Sequence, residues 1–155
     1  MLQRIQTIYL LLIAILSGVT LFLPVADLIS TKDNLIYLVD IKGITLIQST
    51  GNMLVSTTWL LSAFVAVFGI IALITIFSYK NRVKQIRLSV INMLFMLGYY
   101  VLLVFYIWSA SKRLNAEWHL HIATVLPLIS LILNYLAIGA IGKDEKLVKS
   151  LDRLR

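Results

Sequence analysis

The sequence predicts an all-α integral membrane fold: a four-transmembrane-helix antiparallel bundle with a short β-hairpin in the first extracytoplasmic loop and a cytoplasmic amphipathic C-terminal helix. Three observations carry this expectation. Of 155 residues, 60% are hydrophobic and 14% charged, with a mean hydropathy of +0.93, a balance that suits lipid as solvent better than water. The apolar residues fall in four uncharged blocks and not in one-faced helical stripes. The basic residues gather beside the ends of those blocks.

The blocks are 8–26, 54–77, 88–108 and 120–141. Each is long enough to cross about 30 Å of hydrocarbon at about 1.5 Å per residue. Backbone in lipid must satisfy its own hydrogen bonds, so a helix is the assignment for each block. A single membrane domain, 1–155, then has an outer loop 27–53, an inner loop 78–87, an outer loop 109–119 and a tail 142–155.

Orientation follows from the cations. Arg4, Lys80, Arg82, Lys84, Arg87, Lys143, Lys146, Lys149, Arg153 and Arg155 lie on one side, and only Lys32, Lys42, Lys112 and Arg113 on the other. The excess of Lys and Arg marks the cytoplasmic side, so both termini are expected there, in a bacterial-type inner membrane. Trp59, Trp108 and Trp118 then fall at outer interfaces and Tyr9 and Tyr79 at inner ones, as amphipathic rings prefer. The first block is longer than the apolar core of a signal peptide, and Pro24-Val25-Ala26 puts proline where a cleavage site wants a small residue, which argues against its removal.

The first outer loop reads as two short strands. Leu35, Tyr37, Val39 and Ile41 alternate before Lys42-Gly43, and Ile44-Thr45-Leu46-Ile47-Gln48 follows, the pattern of a hairpin around a glycine turn. Ser49-Thr50-Gly51-Asn52 reads as the turn into the second helix.

The fourth block carries the clearest internal pattern. Ala123, Pro127, Ser130, Asn134 and Ala137 recur at steps of four and three and share one face; small and polar residues on such a face let membrane helices approach and hydrogen-bond. Helix contact is the first expectation for this face, and a path or cavity lined by Ser130 and Asn134 the second. Asn92 in the third block lies at a similar depth to Asn134 and is placed to pair with it, and Tyr99 near mid-membrane needs an acceptor for its hydroxyl. In the tail, Leu147, Val148, Leu151 and Leu154 share a face among Lys143, Lys146, Lys149, Arg153 and Arg155, an amphipathic helix suited to anionic lipid or to a protein partner.

His119 and His121 flank the start of the fourth block beside Trp118 and Glu117. They are weak candidates for metal ligands, since residues two apart point the same way only in an extended chain. With no cysteine in the chain, disulfides, thiolate nucleophiles and Cys-bound metals are excluded. No HExxH, phosphate loop or Ser/His/Asp set occurs, and no ionisable side chain sits deep in a block, where coupled pumps require one. The net charge of +7 is spent on membrane flanks, so nucleic acid is not expected as a partner.

The opening Met1-Leu2-Gln3-Arg4-Ile5-Gln6-Thr7-Ile8-Tyr9-Leu10-Leu11-Leu12, the Asn134-Tyr135-Leu136-Ala137 of the fourth block, and the closing Lys143-Asp144-Glu145 to Asp152-Arg153-Leu154-Arg155 resemble a family of small four-span membrane proteins of Bacteroidetes-type bacteria with an uncharacterised domain. The resemblance spans the chain and is specific at its two ends. It implies inner-membrane location and this topology, and it brings no activity, cofactor or catalytic residue. The layout is also similar to that of claudin-like proteins, whose Gly-Leu-Trp and paired cysteines are missing here.

The function expected is that of a non-enzymatic membrane protein without cofactor, an accessory or assembly subunit with other membrane proteins as partners. The alternatives are a small homo-oligomeric transporter, channel or lipid-binding protein, or an outer-face metal protein or enzyme using His119, His121, Glu117 and Asp27, Asp33 or Asp40.

Overall fold

The computed structural model describes residues 3–30, 35–48, 51–79 and 81–152, with the backbone alone for 3–4 and 145–152. Lys32, Asp33, Ser49, Thr50, Lys80 and Arg153, Leu154 and Arg155 lie outside the described residues, as do the side chains of Lys146, Leu147, Val148, Lys149 and Leu151 on the expected amphipathic tail.

The chain runs α1 (Gln3–Thr20), β1 (Ala26–Ser30), β2 (Ile36–Val39), β3 (Gly43–Ile47), β4 (Met53–Thr57), α2 (Trp59–Phe77), α3 (Arg82–Leu114), β5 (Ala116–Leu120), a 3-10 turn at Ile122–Thr124, and α4 (Val125–Asp152). Each helix packs on two others, α1 and α3 both touching α2 and α4. Three stretches, Trp59–Phe77, Arg82–Leu114 and Ile122–Asp144, are long and apolar enough to cross a membrane, and α1 contains a shorter apolar helix, Ile5–Thr20.

The expectation of an all-α chain with one hairpin is overturned. The five strands form one antiparallel sheet in the order β4-β3-β2-β1-β5. β1 and β4 both escaped the hairpin reading: β1 begins on Ala26, the last residue of the first block, and continues into the outer loop with no hairpin turn of its own before it, while Leu54 to Thr57 of β4 were absorbed into the second block. An apolar run cannot by itself be told from buried helix, and here Thr57-Thr58 mark the change. The fifth strand comes from the other loop and pairs with β1 from Ala26↔Leu120 to Ser30↔Ala116, a long-range match with no local signature. Asn115 starts it: at φ 45° it ends α3 in the left-handed conformation, which asparagine tolerates better than most residues.

Strand alternation sorts the sheet into two faces. Toward the helices point the rows Trp118–Leu28–Tyr37–Leu46 and Leu120–Ala26–Val39–Ile44, within which Leu28, Ala26 and Val39 are fully buried. Away from them point His119–Asp27–Leu38–Thr45–Leu54 and Glu117–Ile29–Ile36–Ile47. The sheet thus roofs one end of the helices. Thr58 at the start of α2 is tied to it by its hydroxyl, which donates to the Asp40 carbonyl at 2.8 Å.

Between the helices the buried positions step by three and four: Gln6, Leu10, Ile13, Ser17 and Thr20 on α1, and Gln85, Ser89, Asn92, Met96, Tyr99, Leu103, Ile107 and Ala110 on α3. A Cβ at Gly69 of α2 would collide with Ser17 Oγ, so glycine is what lets α1 and α2 cross this closely. At the end away from the sheet, Asp144 Oδ2 accepts from Arg82 at 2.7 Å and from Gln6 Nε2 at 3.0 Å. One carboxylate thereby joins α1, α3 and α4, while Gln85 Nε2 donates to the Thr75 carbonyl at 3.0 Å and adds α2.

Asp144 is buried and Arg82 is partly exposed, so truncating either leaves a charge poorly solvated. Asp144→Ala is expected to cost about 2–3 kcal/mol, below the roughly 3–5 kcal/mol of a fully buried pair because Arg82 is partly exposed to solvent. The double variant Arg82→Met/Asp144→Leu recovers most of that loss, as read from thermal unfolding in one detergent.

Candidate functional site

Two sets of polar side chains stand out, one within the helices and one on the sheet. Pro127, Ser130, Asn134 and Ala137 are all buried on the inward face of α4, Ala123 is buried in the 3-10 turn that precedes it, and Asn92 and Tyr99 are fully buried on α3. Asn134 and Asn92 do not pair. Asn134 Nδ2 instead donates to the Ser89 carbonyl at 2.8 Å, and Ser130 Oγ returns to the Leu126 carbonyl one turn back at 3.1 Å. Both amide atoms of Asn92, Ser89 Oγ, Asn134 Oδ1 and Tyr99 OH have no partner among the described residues. Tyr99 is held by ring edges, against Phe68 and Tyr100, while Tyr100 OH donates to the Thr124 carbonyl at 2.7 Å.

At the sheet, β5 is extended through His119, and His121 stays extended beyond it, φ −84° and ψ 158°. That satisfies the condition for two histidines to share a side. His121 Nε2 lies 2.7 Å from Asp27 Oδ2, and His119 is Asp27's cross-strand neighbour. Asp27 Oδ1 is buried without a partner among the described residues. Glu117 faces Ile29 on the same side. Among the described residues no three of these groups converge closely enough to hold a metal ion. The arrangement locks β5 and the entry of α4 onto β1, reinforced by His121 N–H and Thr124 Oγ1, which both donate to the Val25 carbonyl at 3.0 and 2.7 Å.

The sequence reading did not find the Gln6–Asp144–Arg82 junction. Gln6 carried a signal, standing in phase with Leu10, Ile13 and Ser17, and so did Asp144, an acid opening a basic tail. Lys143, its neighbour, is exposed.

The fold and these sites define a membrane protein whose helices carry a roof of antiparallel strands at one end. The chain belongs to the family described as "Domain of unknown function (DUF4293)", whose model matches residues 2–154. No curated protein matches it.

Because Asn92 spends desolvation on no hydrogen bond among the described residues, Asn92→Leu is expected to be neutral or stabilising, whereas Asn134→Leu loses a bond worth on the order of 0.6–2 kcal/mol; the melting midpoint of the first should hold or rise while that of the second falls. Asp40, at the β2–β3 turn, has its carboxyl raised by burial, opposed by Lys42 and helped by Asp27. A folded-state value above the unfolded one means that ionisation favours unfolding: the cost is present at neutral pH and vanishes once the group is protonated in both states. Asp40→Asn should therefore raise the melting midpoint at pH 7, with the gain fading as pH falls toward about 4.

Proposed function

We propose that this protein is a non-enzymatic accessory or assembly subunit of a membrane complex, with four spans, both termini in the cytoplasm of a bacterial inner membrane, and the sheet outside as its docking platform. One observation carries the reading. On the sheet face turned away from the helices, Ile29, Ile36 and Ile47 form a continuous row across three strands, 37%, 44% and 45% exposed, and Leu54 of edge strand β4 is 59% exposed beside them. Helix surfaces of this composition are expected where lipid covers them; a sheet face that projects into water with an isoleucine row is not, and patches of that kind mark protein contact.

A fourth span is supported by α1, whose 18 residues measure about 27 Å and are followed by exposed Phe22 and Leu23. The uneven distribution of Lys and Arg supports the orientation. The alternative of a homo-oligomer working as a carrier draws on the unpaired buried groups around Asn92.

The protein, tagged and extracted from its native membrane in mild detergent, is expected to carry a stoichiometric partner identifiable by mass spectrometry. Ile36→Asp and Ile47→Asp, both on exposed positions, should reduce that partner at least tenfold while leaving circular dichroism unchanged. A monodisperse particle containing this chain alone would overturn the reading and favour the homo-oligomer.

A further inference from the structure

A groove of about 280 Å³ opens between α3 and the end strand β5, lined by Tyr100, Leu103, Val104, Ile107, Trp108, Trp118, Leu120 and Thr124. Its floor is Leu103 and Ile107, which are buried, and its rims are Val104 and Trp108 on one side and Trp118 and Leu120 on the other, all more than half exposed. The one phenol in the lining is spent, since Tyr100 OH donates to the Thr124 carbonyl. Nothing inside the groove therefore asks for a polar ligand, and a hydrocarbon chain is what it can hold.

The surroundings narrow the occupant further. α3 has 33 residues, about 50 Å, with Arg82, Lys84 and Arg87 in its first turns and Lys112 and Arg113 in its last. A span of about 30 Å counted from that first basic cluster ends close to Trp108, so the groove lies in the sheet-side leaflet with its tryptophans at the headgroup level, where such rings settle. Over the ring of the rim residue Trp108, 3.9 Å from its centre, stands the exposed Lys112 ammonium. An apolar slot closed by two tryptophans under one cation is complementary to a lipid with an acyl chain and an anionic headgroup.

We propose that this groove is a binding site for an anionic phospholipid of the sheet-side leaflet, one acyl chain lying along Leu103, Val104 and Ile107 between Trp108 and Trp118, and the headgroup phosphate facing Lys112. The site is separate from the isoleucine row, which lies on the opposite face of the sheet, and stands or falls independently of the docking proposal. It differs from ordinary lipid contact in one respect: it discriminates between headgroups.

The two rim tryptophans make the site self-reporting. In Trp59→Phe protein reconstituted into phosphatidylcholine vesicles, the tryptophan emission, excited selectively beyond the tyrosine band, comes from Trp108 and Trp118, and phospholipids with brominated chains quench it on contact. Brominated phosphatidylglycerol, added at low mole fraction, is expected to compete about fivefold better for the quenching site than brominated phosphatidylcholine, the selectivity that one basic residue near the surface supplies. Lys112→Gln should bring that ratio to one by removing the headgroup contact, and Val104→Phe should do so by filling the slot. Arg113→Gln, which lines the cleft on the other side of α3, should leave the ratio unchanged. Circular dichroism and the unquenched emission spectrum confirm that each variant is folded. Equal quenching by the two lipids in the parent protein, a ratio that survives Lys112→Gln or Val104→Phe, or an equal loss in Arg113→Gln would each reduce the contact to bulk lipid or diffuse surface charge and overturn the site.

Discussion

The pairing of β1 with β5 is the contact on which the rest of the arrangement depends. It joins the segment after α1 to the segment between α3 and α4, from Ala26↔Leu120 to Ser30↔Ala116, and so fixes the heights of three helices against one another. The register has a strong specification, because a slip of one residue would turn Leu28 and Ala26 outward and Asp27 into the core. The Asp27–His121 contact at 2.7 Å and the two donations to the Val25 carbonyl hold the same register from its end. Everything proposed at this end inherits that choice: Trp118 and Leu120 turn inward and wall the groove, and Ile29 and Glu117 turn outward.

At the opposite end no strand occurs among the described residues, and a single carboxylate performs the equivalent task. Asp144 accepts from Gln6 on α1 and Arg82 on α3, so the helices are tied at one end by strand pairing and at the other by a charge-assisted junction. Such a junction is weak evidence for net stability, since desolvating the pair offsets much of its attraction, yet removing one member leaves the other stranded. Its value lies in fixing which helices meet.

Long apolar helices were legible in the sequence because a run of bilayer length without charge stands out by hydropathy. Trp59 to Phe77 reads correctly from hydropathy alone. Leu54 to Thr57 does not, since the four residues continue an apolar run and only tertiary pairing with β3 makes them a strand. The hairpin at Lys42-Gly43 was visible from local alternation, while Trp118 and His119 gave no comparable cue, their partner strand lying far away in sequence. Among the site residues, the stripe on α4 could be read from spacing, and spacing also placed Asn92 and Asn134 at one depth. It could not say that the Ser89 carbonyl would take Asn134's donor, because a backbone acceptor is available at every residue and leaves no mark in the sequence.

The two faces of the sheet then divide the problem of function physically. On the inward face, Leu28, Ala26, Val39 and Ile44 are covered by the chain's own helices, so their apolar character is explained by folding. On the outward face, Ile29, Ile36 and Ile47 are left 37%, 44% and 45% exposed, and at about 25 cal/mol per Å² the part of each isoleucine left in water forgoes stabilisation that full burial would provide. Polar side chains would serve the fold equally well at these positions, as Thr45 and Asp27 do on the neighbouring row. A face whose exposed isoleucines are unfavourable for the isolated chain is what the docking proposal accounts for, through a second surface that would cover it.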